Sequence, residues 1–248
     1  MTATTVDTLL GGRVAIVQPS HGYRVALDPV LLAAYVRAKP RDRVLDVGCG
    51  SGAAMLCLAA RVAGVDVTGL EVQPDLAAMA TDGIARNAFE SRARIMTGDL
   101  AQLSDLVCAY PFDIVMTNPP YAADGTSSPD PSLAIAHREG TIDLAEWIDR
   151  CLRLLRPQGR LVLIHRADRL SEILASLRAE KCGDVRILPI QPRAGAAASR
   201  VLIDAGKGRK SPDILLAPLA LHRAEGGFTP EAETVLRNMA SLEAVGEK

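Results

Sequence analysis

The sequence predicts an α/β protein: a mostly parallel seven-stranded sheet with helices on both faces and an antiparallel strand pair at its C-terminal end. Three observations predict it. From residue 43 to residue 180, short apolar runs alternate with amphipathic segments of helical period, the pattern of β-α units with right-handed crossovers. The apolar runs are rich in Val, Ile and Leu rather than alternating with polar residues, as strands covered on both faces should be. After residue 180 the alternation stops. "DVRILPI" (184–190) and "SRVLIDAG" (199–206) are then separated only by residues 191–198. That is too short for a usual helical crossover, so the two runs should pair antiparallel.

The elements follow in order. "TLLGGRVAIVQP" reads as a hairpin turning at Gly11-Gly12. "DPVLLAAYVRA" reads as a helix, with Asp28 as N-cap and Pro29 at its first position. Strands are expected over 43–48, 66–72, 92–99, 112–118 and 159–166, and helices over 52–62, 74–89, 143–155 and 168–180, with a short helix near 101–109. "PDILLAPLALHR" adds a strand or hairpin. "TPEAETVLRNMASL" is a terminal helix capped by Thr229, with Pro230 at its first position. Residues 1–40 thus form a hairpin and an opening helix, and residues 41–248 the sheet with its C-terminal extension, as one compact unit.

Bulk properties fit this reading. The chain has 248 residues, 48% of them hydrophobic, enough for one large α/β core. Its formal net charge is −1, so no global field draws it to nucleic acid. A local patch runs from Lys181 to Lys210, where Lys181, Arg186, Arg193, Arg200, Lys207, Arg209 and Lys210 face only Asp184 and Asp204. The five cysteines (Cys49, Cys57, Cys108, Cys151 and Cys182) contain no CxxC, and an odd number in apolar runs reads as buried free thiols in a reducing compartment. The sequence opens with no signal-like apolar stretch and contains no run of transmembrane length, so a soluble cytoplasmic protein is expected. His21, His165 and His222 are scattered, which predicts no metal site. Trp147 shares an apolar helix face with Leu144 and Cys151 and reads as core.

Four motifs carry chemistry. In "VLDVGCGSGAAML" a strand ends at Asp46-Val47, Gly48, Gly50 and Gly52 make a tight turn, and a helix begins. Three alternating glycines exceed what a turn needs and let the backbone approach a ligand closely. The G-x-G-x-G spacing differs from the dinucleotide fingerprint, and no Lys-Ser/Thr follows as in a phosphate-binding loop. Glu71 ends the next strand, where an acid can accept hydrogen bonds from both ribose hydroxyls of a nucleoside or simply be solvated. Asp99, in "TGDL", follows the third strand and suits either a ligand contact or a helix cap. In "FDIVMTNPPY" the fourth strand ends in Asn118, Pro119, Pro120 and Tyr121, at the edge where open α/β sheets hold ligands. A planar NH₂ group is a poor nucleophile until its hydrogens are held by acceptors. The Asn118 side-chain oxygen and the Pro119 carbonyl offer two. Pro119 and Pro120 stiffen the loop, and Tyr121 offers a ring for stacking, worth about 1–3 kcal/mol per base in single-stranded nucleic acid.

The glycine stretch resembles motif I of the class I S-adenosylmethionine-dependent methyltransferases, which have a Rossmann-like fold. With residues 118–121 it is similar to the amino-group enzymes acting on adenine N6, cytosine N4 or a glutamine amide. "GYRVALDPVLLAAYV", "LLRPQGRLVLIHRADRLSEIL", "PRAGAAASRVLI" and "LHRAEGGFTPEAETVLR" resemble the bacterial tRNA1(Val) (adenine-37-N6)-methyltransferase family, so the likeness spans about residues 8–242. The resemblance implies S-adenosylmethionine as cofactor, tRNA as partner, and neither metal nor membrane, for a monomer or homodimer. It implies that Gly48, Cys49, Gly50 and Gly52 shape the cofactor loop with Asp46 beneath it. Glu71 and Val72 then address the ribose, Asp99 and Leu100 the adenine end, and Asn118, Pro119, Pro120 and Tyr121 the target amine, with Asn118 also at the cofactor. Asp28 falls where the family's opening helix approaches the cofactor, and Arg193 and Arg200 where it has basic residues. Two alternatives stay open. Glutamine-amide enzymes share the NPPY logic but carry an extra N-terminal helical domain, whereas only about 40 residues precede motif I here. A small-molecule methyltransferase fits the neutral charge. His137, in the loop after Tyr121, would matter as a base only for an oxygen acceptor.

Overall fold

The structure, a computed structural model, describes residues 3–22, 24–102, 111–120 and 142–242. The strands are β1 (Thr4–Leu9), β2 (Val14–Pro19), β3 (Arg43–Val47), β4 (Asp66–Glu71), β5 (Ala93–Thr97), β6 (Phe112–Thr117), β7 (Leu155–Arg166), β8 (Cys182–Arg193), β9 (Arg200–Lys207), β10 (Ile214–Leu215) and β11 (Leu219–His222). The helices are α1 (Asp28–Tyr35), α2 (Ala53–Arg61), α3 (Pro74–Arg86), α4 (Leu144–Arg153), α5 (Leu170–Ala179) and α6 (Pro230–Arg237).

One sheet runs in the order β10-β8-β9-β7-β6-β3-β4-β5, with β11 also on β8. The pairs β5–β4, β4–β3, β3–β6 and β6–β7 are parallel. Only β9 runs the other way, antiparallel to both β7 and β8. The cause is the short link between β8 and β9, which turns at Gly195 (φ +79°) with Ala196 N–H donating to the Arg193 carbonyl at 3.1 Å. The stretch expected to add a strand or hairpin supplies two short strands instead. Both lie parallel to β8, which raises the sheet to nine strands among the described residues.

Successive strand residues point to opposite faces, and each face has its own core. Val44, Val67, Ile114, Met116, Val162 and Ile164 pack beneath α1, α2 and α6. Leu45, Val47, Val115, Leu161 and Leu163 pack against α4 and α5. α2 is buried on nearly every side, from Ala53 through Ala59, because α1, β2 and α3 all pack on it. Its apolar composition all round is what such a position requires. The β1–β2 hairpin closes over Leu10–Gly12, and a Cβ at Gly11 would lie 2.9 Å from the Arg237 carbonyl oxygen of α6. Arg61 donates to the Val235 and Ala240 carbonyls, both at 2.7 Å, tying α2 to the C-terminal segment.

One expectation is corrected. Asp28 is not the N-cap of α1. Leu27 occupies that position and Asp28 is the first helical residue, without a side-chain capping bond. Its carboxylate accepts instead from Arg200 Nε at 3.0 Å, because an ion pair with a guanidinium holds a carboxylate more strongly than a neutral backbone N–H. Thr229 does cap α6, accepting from Ala232 N–H at 3.2 Å. Cys49, Cys57, Cys151 and Cys182 are buried free thiols; Cys108 lies outside the described residues, as does the expected helix beyond residue 102.

Candidate active site

The parallel registers set Val47 opposite Leu70 and Thr117, and Glu71 opposite Thr97. The exits of β5, β4, β3 and β6 therefore stand side by side at one sheet edge, with neighbouring strands about 4.8 Å apart. Glu71, the glycine loop, Asp99 and Asn118 are all at that edge, where open α/β sheets bind ligands.

The loop is folded by three left-handed glycines, Gly48 (φ +70°), Gly50 (φ +56°) and Gly52 (φ +88°). L-residues with side chains pay for this region, and glycine does not. Gly48 and Cys49 N–H both donate to the Leu70 carbonyl, at 2.9 and 3.0 Å, and Gly52 N–H donates to Cys49 O at 2.9 Å. A Cβ at Gly52 would lie 3.1 Å from Ala80 Cβ, so this glycine also lets α2 approach α3. A Cβ at Gly50 would meet open space. The tip of the loop is thus open to a ligand, while its base is packed. Gly69, in β4 beneath the loop, is bare for the same reason: a Cβ there would lie 2.7 Å from both Cys49 Sγ and Met55 Sδ.

Glu71 clamps the loop. It is only 5% exposed. Its Oε2 accepts from Gly50 N–H at 2.8 Å and its Oε1 from Gln73 N–H at 2.9 Å. A carboxylate has about four acceptor positions, so two remain for further donors. Asp46 is 2% exposed and accepts from Met55 N–H at 3.1 Å, in the first turn of α2. Burial pushes its carboxyl up to about 7, and the Glu71 charge adds to the rise while the Met55 bond opposes it. Burial likewise holds the Cys49 thiol well above its usual value, with Asp46 and Glu71 adding to the effect. Cys49 is therefore a packing group and not a thiolate.

Beside this buried acid pair, Val72 is 53% exposed. Asp99 accepts from Ala101 N–H at 2.8 Å and so caps the 3₁₀ turn Leu100–Gln102. The capping role of Asp99 is present, and Leu100 is buried under it. Asn118 is half-buried, Pro119 buried and Pro120 exposed. Tyr121 and His137 lie outside the described residues. Arg200 is ion-paired with Asp28, and β9 is separated from β3 by β6 and β7. Arg193 is exposed at the end of β8. Among the described residues no group of His, Cys, Asp and Glu is placed to hold a metal ion, and no helix is long and apolar enough to cross a membrane.

Trp147 and Thr117 join the candidate site. By its helix face alone Trp147 reads as core. Its ring does pack there, but Nε1 also donates to Thr117 Oγ1 at 3.1 Å, and Thr117 Oγ1 donates to Val47 O at 2.9 Å. The available signal was that Trp147 is the sole tryptophan of the chain, on the helix that follows the acceptor motif.

These residues suit an S-adenosylmethionine-sized nucleoside. A backbone cradle open at Gly50, a buried diacceptor at Glu71 and an exposed apolar surface at Val72 match the close approach, the ribose diol and the flat base of such a ligand.

Comparison with known proteins agrees. The sequence model of the family described as "Methyltransferase small domain" matches residues 26–177. A tRNA1(Val) (adenine(37)-N6)-methyltransferase of Aeromonas salmonicida is 30% identical over 207 residues, covering 83% of this chain and 85% of the relative. The enzyme of that description from Porphyromonas gingivalis is 30% identical over 227 residues, covering 88% and 89%. Among solved structures, a protein described as a predicted O-methyltransferase from Agrobacterium tumefaciens is 28% identical with a TM-score of 0.70, covering 86% of this chain and 97% of that one. A protein from Listeria monocytogenes described as a "putative class I S-adenosylmethionine-dependent methyltransferase" shares the fold at 20% identity and a TM-score of 0.55. The chain therefore belongs to the Methyltransferase small domain family and is an S-adenosylmethionine-dependent methyltransferase with a Rossmann-like sheet.

Proposed function

We propose that this enzyme methylates the N6 amine of adenine in tRNA. The observation that carries the reading is the side-by-side exit of β3, β4 and β6. It sets the glycine loop and Glu71 beside Asn118 and Pro119 at one sheet edge. The relatives from Aeromonas and Porphyromonas, named as tRNA adenine methyltransferases, support it.

S-adenosylmethionine, when bound, supplies an electrophilic methyl group on a sulfonium. Gly48, Cys49, Gly50 and Gly52 would hold the cofactor through the loop backbone, Glu71 through its ribose hydroxyls, and Val72, Asp99 and Leu100 around its adenine. Asn118 Oδ1 and the Pro119 carbonyl accept the two hydrogens of the target NH₂. That pulls the nitrogen out of conjugation and turns its lone pair toward the methyl. Pro119 and Pro120 fix these acceptors before substrate arrives, and Tyr121 stacks the splayed base. Positioning supplies most of the acceleration; the surplus proton leaves to water once the amine is alkylated. Arg193 contacts the RNA backbone. Arg200 reaches it only by exchanging Asp28 for phosphate. A tRNA substrate places the enzyme in the cytoplasm.

The test is transfer of a tritiated methyl group to total tRNA, followed by nucleoside mass spectrometry. N6-methyladenosine is expected. Label on a ribose 2′-oxygen would instead favour oxygen chemistry, as the name of the Agrobacterium neighbour implies, and label only on protein would favour the glutamine-amide alternative. Asn118→Ala should leave cofactor affinity within about threefold and abolish transfer, because removing a contact made only in the transition state lowers the rate without weakening ground-state binding. A comparable loss of cofactor binding would show that Asn118 holds the cofactor instead.

A further inference from the structure

Methyl transfer is demanding in geometry. The reacting atoms must approach to about 3–3.5 Å in line, and a misplacement of about 1 Å can cost about a hundredfold. Here donor and acceptor groups leave different strands: the cofactor loop leaves β3 at Gly48, and the acceptor segment leaves β6 at Asn118. Something must fix one exit against the other.

The Thr117 hydroxyl, fully buried, lies between them. It donates to the Val47 carbonyl at 2.9 Å and accepts from Trp147 Nε1 at 3.1 Å. A hydroxyl has one hydrogen to donate, and this arrangement commits it to β3. The ring of the same tryptophan lies against the glycine loop: a Cβ at Gly48 would be 3.4 Å from both Trp147 Cζ2 and Cη2. Trp147 is itself anchored in the first turn of α4. Its N–H donates to the Asp143 carbonyl at 2.9 Å, and the Asp143 side chain caps the helix by accepting from Glu146 N–H at 2.8 Å. Ile148, Cys151 and Leu152 bury that helix on the sheet. One rigid side chain thus touches the residue after Val47 with its ring and the residue before Asn118 with its N–H.

We propose that Trp147, acting through Thr117, is a positioning residue for methyl transfer that holds the cofactor loop and the acceptor segment at a fixed separation. A tryptophan serving only the core would need burial and any acceptor for its N–H. This one spans the two strand exits at which the halves of the site begin. The proposal rests on the reading of the glycine loop as cofactor loop and of Asn118 as amine holder.

The test uses the full-length chain with Trp147→Phe, Thr117→Val, their combination and Thr117→Ser. Calorimetry with S-adenosylhomocysteine should give affinities within about threefold of the parent. Single-turnover transfer to an unmodified tRNA pool should fall at least about tenfold in Trp147→Phe and in Thr117→Val. The double variant should fall little further, since both changes cut one link, and Thr117→Ser should restore the rate to within about threefold. Trp147 is also a built-in reporter as the only tryptophan. Its emission should change on S-adenosylhomocysteine binding, at the affinity calorimetry gives, and Thr117→Val should alter that response. Parent-like transfer by Trp147→Phe with intact cofactor affinity overturns the proposal. If the parent binds cofactor yet methylates no tRNA, the acceptor reading fails separately. The positioning role is then decided by the emission arm, where an unchanged response in Thr117→Val overturns it. If the parent binds no cofactor, the site reading falls and the proposal with it.

Discussion

Asp46→Asn should make this protein more stable at neutral pH, and the gain should vanish in acid. The Asp46 carboxyl is 2% exposed and accepts one hydrogen bond, from Met55 N–H. Burial raises its pKa from 3.8 to about 7, with the Glu71 charge contributing. Because the folded-state value lies above the unfolded one, the folded protein retains a proton that the unfolded chain releases between pH 4 and pH 7. Stability linked to this group is therefore fully present below pH 4 and is lost as pH rises to about 7, at about 1.4 kcal/mol per pH unit. The whole loss is on the order of 4 kcal/mol. An Asn fits the same volume, keeps an oxygen for Met55 N–H and does not titrate. The stability difference between variant and parent should thus be flat below pH 4, grow through pH 5 and 6, and level off above pH 7. Urea denaturation of both proteins at pH 4, 5, 6, 7 and 8 measures it, with equal m-values required for the comparison. A difference constant to within about 0.5 kcal/mol across that range, below the slope expected from linkage, would show that Asp46 is ionised in the fold throughout. Burial would then not be what sets the charge of this carboxyl.

Three further outcomes are expected. Glu71→Gln can satisfy only one of the two N–H groups of Gly50 and Gln73. The lost bond is internal to the protein, so its loss should lower urea stability by about 1.5–3 kcal/mol; losing a bond of the same kind from Glu71 to a ribose hydroxyl should weaken S-adenosylhomocysteine binding in calorimetry by about 10- to 100-fold, and an unchanged affinity would remove Glu71 from the cofactor site. Gly69→Ala places a methyl 2.7 Å from two sulfur atoms under the loop; overpacking should lower urea stability by about 1–3 kcal/mol and weaken cofactor binding along with it. Asp204 is 1% exposed and is bound by Arg160 and, at 2.8 Å, by Arg37. Asp204→Ala should cost about 1–3 kcal/mol in urea denaturation, since Arg160 keeps Asp184 at 2.7 Å and Arg37 is partly exposed, whereas Asp168→Ala, which removes an exposed partner of Arg166, should cost under about 1 kcal/mol.

The order and type of nearly every element are legible in the residues, because strand burial and helix period are written in local composition. Val/Ile/Leu runs marked β3 to β7, and the short link after Arg193 dictated that β9 reverse direction. The sequence also marked the residues from which the two halves of the proposed site are built, since a three-glycine turn, an acid at a strand end and an Asn-Pro-Pro exit are each unusual within a few residues. What local pattern could not decide was partnership over long separations. Asp28 reads as a helix cap until Arg200, 172 residues away, takes its carboxylate. Glu71 reads as a ligand acid, and only the fold reveals that it already clamps Gly50 of the neighbouring strand's loop. Trp147 reads as core until the register of β3 against β6 brings Val47, Thr117 and the indole together. Hydrogen bonds act over about 3 Å, and which groups come that close is fixed by the packing of the whole sheet.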